Sequence, residues 1–459
     1  MKLFLATFLL MISSINYSFS MNNLPPDSTN SIKDRALAKY LISDGKKFYN
    51  EGEFRKSLVQ FREALSKDKN NPIATYWVGE CHTALGNYKK GLKYVKLAYE
   101  FNPEIHTDVT YMMGLCNHKL GNLDEAISNY EKSKTVLSAT RIEILRVDTR
   151  IAECKRAKEF MESPVNVSVT ALGEGVNSRN DEYSPVVVND GKTIYFSSRR
   201  ADNFGGGVSN GDRKYFSDIY ISHWDAKKNK WGAASNQNDT IKRLNSKGFD
   251  AVSSFSADGT IAYLSVNTEG IEKPKPTTKS ADLFTSTIST KGTWGKPKRM
   301  QKKTLNTMFF EVSPTFTADG NTMYFVSERI GGQGKSDIWV SRKVGKTSWS
   351  KPENVKEVNT KYNETSVFIT PDEKYMFFSS KGHDGLGGYD IYYSKNTDGV
   401  WSSPKNIGFP INSVSDETHF QYYPKLGKAY FSKVSMRGDG GIGGRDIFEV
   451  NIENLNLEK

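Results

Sequence analysis

NTMFFEVSPTFTADGNTMYFVSERIGGQGKSDIWV, residues 306–340, decides the fold of the larger part of this chain. It opens on Asn306-Thr307, and an acidic residue, Glu311, follows. An apolar run then meets Asp319-Gly320, a pair that suits a tight hairpin because the turn needs positive φ. The run returns as Met323-Tyr324-Phe325-Val326, a glycine-rich loop follows, and Asp337-Ile338-Trp339 opens a third run. Trp349 leads towards a fourth. The same unit starts at Asn177, Asn245, Asn359 and Asn412, with its acid at Glu182, Asp250, Glu364 and Glu417. Asp190-Gly191, Asp258-Gly259 and Asp372-Glu373 supply further turns, and Trp231, Trp294 and Trp401 the later landmarks. Four short strands per repeat, with two consecutive spacings of 53 residues, predict the blades of a β-propeller over residues 164–451.

The ends of this region predict how the ring closes. The fifth unit stops after Asp446-Ile447-Phe448, with no tryptophan and no fourth strand. Ala171-Leu172-Gly173 stands before Val176-Asn177 as Asn406-Ile407-Gly408 stands before Ile411-Asn412. Residues 165–173 are therefore expected to be the outer strand of the last blade, which leaves no orphan edge. Five blades are expected; six stay open if 201–213 or 268–280 hides a further element.

The motif resembles the TolB-like class of WD40-like propellers. In that class the strand after the acid is innermost, so the resemblance implies that Glu182, Asp250, Glu311, Glu364 and Glu417 ring one mouth of the channel. There they would bind a cation or a basic partner segment. Like charges held together need neutralising, and Arg199, Arg329, Lys381 and Lys433 follow the second strand. The alternative is an intrablade ion pair or hydrogen bond that holds the loop. The glycine-rich loops at 205–207, 331–334, 385–388 and 440–444 lack the lysine-hydroxyl ending and following helix of a phosphate cradle.

Upstream the period changes. Gly45, Gly79 and Gly114 each precede a second glycine, Gly52, Gly86 and Gly121, by seven residues. Small residues at Ser57, Gly91 and Ala126, large ones at Phe61, Val95 and Tyr130, and small ones at Ala64, Ala98 and Ser133 follow in register. This resembles the tetratricopeptide (TPR) repeat, three times over within residues 31–160, with Ala139–Phe160 as a capping helix. Cys81 and Cys116 fall where small core side chains are expected. The resemblance implies a concave groove of Lys46, Tyr49, Asn50, Tyr76, Glu80, Thr83, Tyr111, His118 and Lys119, suited to a partner's extended peptide or helix. Ile42 and Lys46 break the Lys-and-Asn clamp by which some TPR domains hold a C-terminal carboxylate. The alternative is a groove filled from within or docked on the second domain.

Residues 1–20 read as a secretory signal peptide: Lys2, an apolar core from Leu3 to Ile12, then small residues at Ser18 and Ser20. The first cysteine is Cys81, so no lipobox is present and a soluble exported chain, not a lipoprotein, is expected. The 459 residues carry a net charge of +11, 37% hydrophobic and 25% charged residues, and a mean hydropathy of −0.57. With three cysteines this excludes disulfide scaffolds, and the mature chain shows no apolar run of bilayer length. His82, His106, His118, His223, His383 and His419 are scattered outside metal-ligand spacings. No nucleophile elbow and no basic stripe for nucleic acid are found, and no cofactor is implied.

An exported TPR solenoid joined to such a propeller resembles the front half of the PorE-type, OmpA-family envelope lipoproteins of type IX secretion and gliding machinery. The resemblance implies a non-enzymatic periplasmic scaffold, associated with the outer membrane or with secretion machinery, whose groove and propeller face bind envelope or secretion-system proteins. This chain ends at Lys459, after the propeller, so peptidoglycan anchoring and lipid tethering are not carried over. The rival expectations are a sensor whose propeller mouth binds a glycan, peptide or cation, and a hydrolase acting at that face. Oligomeric state is not read from the sequence.

Overall fold

The computed structural model describes residues 31–188, 191–209, 212–267, 281–301, 303–436 and 438–458. The expected signal peptide, and the 268–280 segment that left a sixth blade open, lie outside the described residues.

The helical part is a row of hairpins. Helices α1 (Ile32–Asn50) and α2 (Phe54–Lys67), α3 (Pro72–Ala84) and α4 (Tyr88–Phe101), and α5 (Val109–Lys119) and α6 (Leu123–Lys134) pair in turn. Asn71 and Asn87 cap α3 and α4 through their side chains, as asparagine does at a helix start. The spacing of glycines has a steric cause. A Cβ on Gly114 would lie 2.7 Å from the Tyr130 ring, so only glycine lets α5 and α6 approach this closely.

The expected single capping helix is two. Arg146 takes the left-handed conformation (φ 56°, ψ 41°) and separates α7 (Ala139–Leu145) from α8 (Val147–Glu162). α8 packs against α6 and closes the row. The break has a partner outside the helices: the Arg146 guanidinium lies 3.8 Å from the centre of the Tyr362 ring in the β-region.

The rest of the described chain forms five antiparallel sheets arranged as a five-bladed β-propeller. The innermost strands are Glu182–Val188, Phe249–Phe255, Glu311–Phe316, Glu364–Ile369 and Glu417–Tyr423. Blades 1 to 4 run outward in chain order. Blade 5 takes its outer strand from the start of the region, where Val169–Ala171 pairs with Arg445–Asn451 (Val169 opposite Val450, Ala171 opposite Phe448). Among the described residues of the 201–216 insertion in blade 1, the one pairing is a bridge between Val208 and Tyr215.

Two devices hold blade to blade. Each repeated asparagine pairs with the third strand of the preceding blade as a strand residue would. Asn412 Nδ2 donates to the Ile391 carbonyl at 2.8 Å while its Oδ1 accepts from Ile391 N at 2.7 Å. Asn177 does the same to Ile447 across the ring closure, and Asn245, Asn306 and Asn359 repeat it. Near the channel, each innermost strand shifts register, and Ser184, Ser313, Ser366 and His419 take positive φ there. These bulges reach sideways: Ser184 Oγ donates to the Val252 carbonyl, and His419 N donates to Ser366 Oγ.

Candidate interaction site

Glu182, Asp250, Glu311, Glu364 and Glu417, expected either to ring a channel mouth as binding groups or to hold their loops by intrablade bonds, make such intrablade bonds. All five are fully buried. The loop before each strand folds back, so that its Ser or Thr donates both backbone N–H and hydroxyl to the acid. Thr307 N and Oγ1 reach Glu311 at 2.9 and 2.6 Å, and Thr360 reaches Glu364 at 3.0 and 2.7 Å. Ser178, Ser246 and Ser413 repeat the pattern on Glu182, Asp250 and Glu417. Burial raises every one of these carboxyls, and Asp250, Glu364 and Glu417 are pushed up to about 7.

The counter-charges are only partly those expected. Arg329 pairs with Glu311 at 3.5 Å. In blade 1 it is Arg200 that reaches Glu182 at 3.3 Å, because Arg199 is held by Asp212 from the 201–216 insertion. Lys433 bonds Asp439 at 3.4 Å and helps Glu417 through its nearby charge. Lys381 lies 4.1 Å from the Tyr389 ring centre instead of pairing with Glu364. At this end of the channel a cavity of about 380 Å³ is bordered by Tyr183, Phe249, Phe310, Thr365 and His419, with Asp250 behind.

The second repeated acid shapes the loops. Asp218, Asp337, Asp390 and Asp446 accept backbone N–H groups from the loop that follows the second strand: Phe204 at 2.6 Å, Gln333 at 3.1 Å, Leu386 at 3.0 Å and Ile442 at 2.8 Å. The glycines permit this approach, since a Cβ on Gly385 would lie 2.3 Å from Asp390 Oδ2.

The groove residues divide into two sets. Tyr76, Glu80, Thr83, Tyr111 and His118 are buried, while Lys46, Tyr49 and Lys119 are half-buried and Asn50 is exposed. Glu80 accepts hydrogen bonds from Tyr49 Oη at 2.9 Å and from Tyr76 Oη, and burial raises its carboxyl. His106, which the sequence did not bring to the groove, stacks on Tyr76 with ring centres 4.6 Å apart. Thr83 Oγ1 donates to the Gly79 carbonyl, and Tyr111 Oη donates to the Leu145 carbonyl at 3.3 Å. Towards α1 the floor is open and aromatic: Lys46 Nζ lies 5.4 Å from the Trp77 ring, and Tyr49 meets Trp77 edge-on at 4.9 Å. The three cysteines are buried and free, their thiols pushed up to about 11 or 12 by burial, so they stay uncharged.

At the α5 end the groove meets the propeller. His118 Nε2 lies 2.9 Å from the Leu386 carbonyl, and Lys119 Nζ donates to the carbonyls of Gly387 and Val414 at 2.7 and 2.8 Å. From α8, Arg156 donates to the Gly385 carbonyl at 2.6 Å and pairs with Asp384 at 2.7 Å. Leu386 and Val414 belong to the same apolar core as Tyr111, Val147, Ile151, Cys154 and Ala157. The alternative expectation, docking on the second domain, thus describes this end of the groove.

These features define a two-domain repeat protein, a tetratricopeptide-type solenoid seated on one arc of a five-bladed β-propeller. The family model described as "Anaphase-promoting complex, cyclosome, subunit 3" matches residues 50–133. Among solved structures, the first TPR domain of Spaghetti (RPAP3) bound to an HSP90 peptide is similar at 16% identity and a TM-score of 0.25, covering 27% of this chain and 95% of its own. The Yersinia enterocolitica type III secretion chaperone SycD, in complex with a peptide of the translocator YopD, is similar at 18% identity and a TM-score of 0.24, covering 26% and 93%. The Sgt2 TPR domain from Aspergillus fumigatus shares 21% identity at a TM-score of 0.24, covering 27% and 81%. No curated protein matches the chain. Among the described residues no helix is long and apolar enough to cross a membrane, and no cluster of ligating side chains could hold a metal ion.

Proposed function

We propose that this chain is a non-enzymatic scaffold for protein–protein interaction, exported to the periplasm and associated with outer-membrane or secretion machinery. The observation that carries the reading is the asymmetry of the groove. Its α5 end is consumed by the propeller, while its α1 end presents Lys46 and Tyr49 around Trp77, with Asn50 exposed at the end of α1. A cation and rigid aromatic edges suit a partner segment with an acidic group beside an apolar one. The leader-like residues 1–20 support export, and the likeness of the two repeat systems to envelope scaffolds supports the location. A small ligand in the channel cavity is the second reading, supported by the aromatic lining of Tyr183, Phe249 and Phe310.

The test is crosslinking of the tagged chain in intact cells, with cell fractionation in parallel. Reproducible capture of envelope components from the periplasmic fraction, lost in a Lys46→Glu/Tyr49→Ala variant, is the expected result. Capture unchanged by that variant overturns the groove assignment, and a cytoplasmic chain overturns the location.

A further inference from the structure

The docking of the helices on the propeller uses a station that the ring repeats. At the occupied station, the loop-apex residue Leu386 is followed by Gly387, which packs on the segment before the next blade. A Cβ on Gly387 would lie 3.1 Å from the Cα of Val414, two residues after the repeated Asn412. Leu386 is 0% and Val414 4% exposed, both covered by the helices.

Two further stations have the same backbone. In blade 1 the apex is Phe204, followed by Gly205, whose Cβ would lie 3.1 Å from the Cα of Lys247, again two residues after an asparagine, Asn245. In blade 5 the apex is Ile442, followed by Gly443, whose Cβ would meet the Arg179 carbonyl carbon at 3.0 Å, two residues after Asn177. The same aspartate cap holds each apex N–H. Here the apolar apex is uncovered: Phe204 is 52% and Ile442 37% exposed. Where the occupied station has Val414, the open ones carry exposed cations, Lys247 and Arg179.

We propose that the open stations of blades 1 and 5 dock an α-helical segment of a partner protein that carries carboxylates beside an apolar notch. The helical shape follows from continuity with the occupied station, where α5 and α8 form the notch around Leu386. The reversed charge follows from the exchange of Val414 for Lys247 and Arg179. At the occupied station the helices bring the cations, Lys119 and Arg156, to loop carbonyls and Asp384. At the open stations the propeller brings them, so the partner must bring the anions. An exposed apolar side chain on a rigid, backbone-capped loop costs little entropy to bury, which suits it as an anchor.

This inference rests on the scaffold reading and names its second surface. The experiment places a photoreactive phenylalanine analogue at position 204, at position 49 in the groove, and at exposed Val400 as background, each in the full chain in cells. The expected result is a position-204 adduct whose crosslinked peptide maps to an acidic helical segment. Its yield should fall at least fivefold in Lys247→Glu/Arg179→Glu, a variant with unchanged thermal unfolding. An adduct no stronger than at position 400, one insensitive to the charge reversal, or one mapping to a basic or non-helical segment overturns the proposal. Capture at position 49 alone overturns this inference and leaves the scaffold reading standing; capture at neither overturns both.

Discussion

The two repeat arrays of this chain meet the same difficulty, an apolar face that continues past the last repeat, and resolve it differently. The propeller resolves it from within. Val169–Ala171 returns to complete blade 5, and Asn177 braces the first unit to the last across the seam. The helical row has an end, and α8 covers only part of it; Leu386 and Val414 of the propeller complete its core. A ring is complete alone, whereas this solenoid is completed by its neighbour. Stability should therefore flow in one direction, from propeller to helices.

The comparison breaks most visibly at the seam. Deleting residues 164–173 leaves the edge of Arg445–Asn451 unpaired, and the ring should lose its single cooperative transition in guanidinium and aggregate. A chain that keeps this segment but lacks residues 31–163 should retain the transition. If both deletions behave alike, the ring is not self-sufficient.

Next in size is the brace inside each blade. Glu311→Ala removes the acceptor for Thr307 and Ser327 and strands the half-buried Arg329, which should cost about 3–5 kcal/mol in urea unfolding. Asp250→Ala strands no such arginine among the described residues and loses the bonds from Ser246, so about 1–2 kcal/mol is expected. Equal losses would show that the ion pair adds nothing to the hydrogen bonds.

The junction comes third. Leu386→Ala should lower the stability of the helices by about 3 kcal/mol and leave the propeller transition where it was. Proteolysis between α8 and Val169 reads the undocking directly. A shift of the propeller transition instead would reverse the proposed direction of support.

Acid should act on the same junction. His118 is buried, with Lys119 beside it on α5, Arg150 and Glu153 facing it from α8, and the Leu386 carbonyl against Nε2. A carbonyl accepts, so Nε2 carries the proton of the neutral ring, and Nδ1 finds no partner among the described residues. Burial and then Lys119 push its pKa down to about 4. The depressed value means that the neutral form belongs to the docked state. Its stabilisation is whole above the ordinary value near 6.5 and is lost as pH falls towards 4, about 2 kcal/mol by pH 5. Half-buried His383 and His419 also have lowered pKa values, so the measurement is the difference between wild type and His118→Gln. The wild-type advantage over that variant should be flat above pH 7 and shrink below 6; a pH-independent difference removes His118 from the latch.

Much of this comparison was legible in the residue pattern, and what escaped it is non-local. The blades announce themselves because each repeats Asn, Ser or Thr, an acid and a turn at fixed spacing, and the seam shows as a missing fourth strand. The exposure of groove residues did not, because Tyr111 and His118 are buried with the help of Leu145 of α7, α8 and the propeller, and Tyr76 stacks on His106 of the loop before α5, all far from them in sequence. Arg199 and Arg200 exchanged roles for a similar reason: the insertion in blade 1 supplies Asp212. The break at Arg146 carries no glycine to mark it; its stacking on Tyr362 is again a contact across domains.

The smallest expected effect is also the sharpest control on the idea of equivalent stations. Ile442 stands on the same capped backbone as Leu386, with the same i to i+4 bond to its aspartate, yet its side chain is partly in water. Ile442→Ala removes little buried area, so unfolding should shift by less than about 0.5 kcal/mol, against about 3 for Leu386→Ala. If the two substitutions cost the same, Ile442 already contributes to the fold and blade 5 offers no free anchor. If Ile442→Ala is silent in isolation but lowers partner crosslinking at position 204, the two open stations are engaged together by one partner.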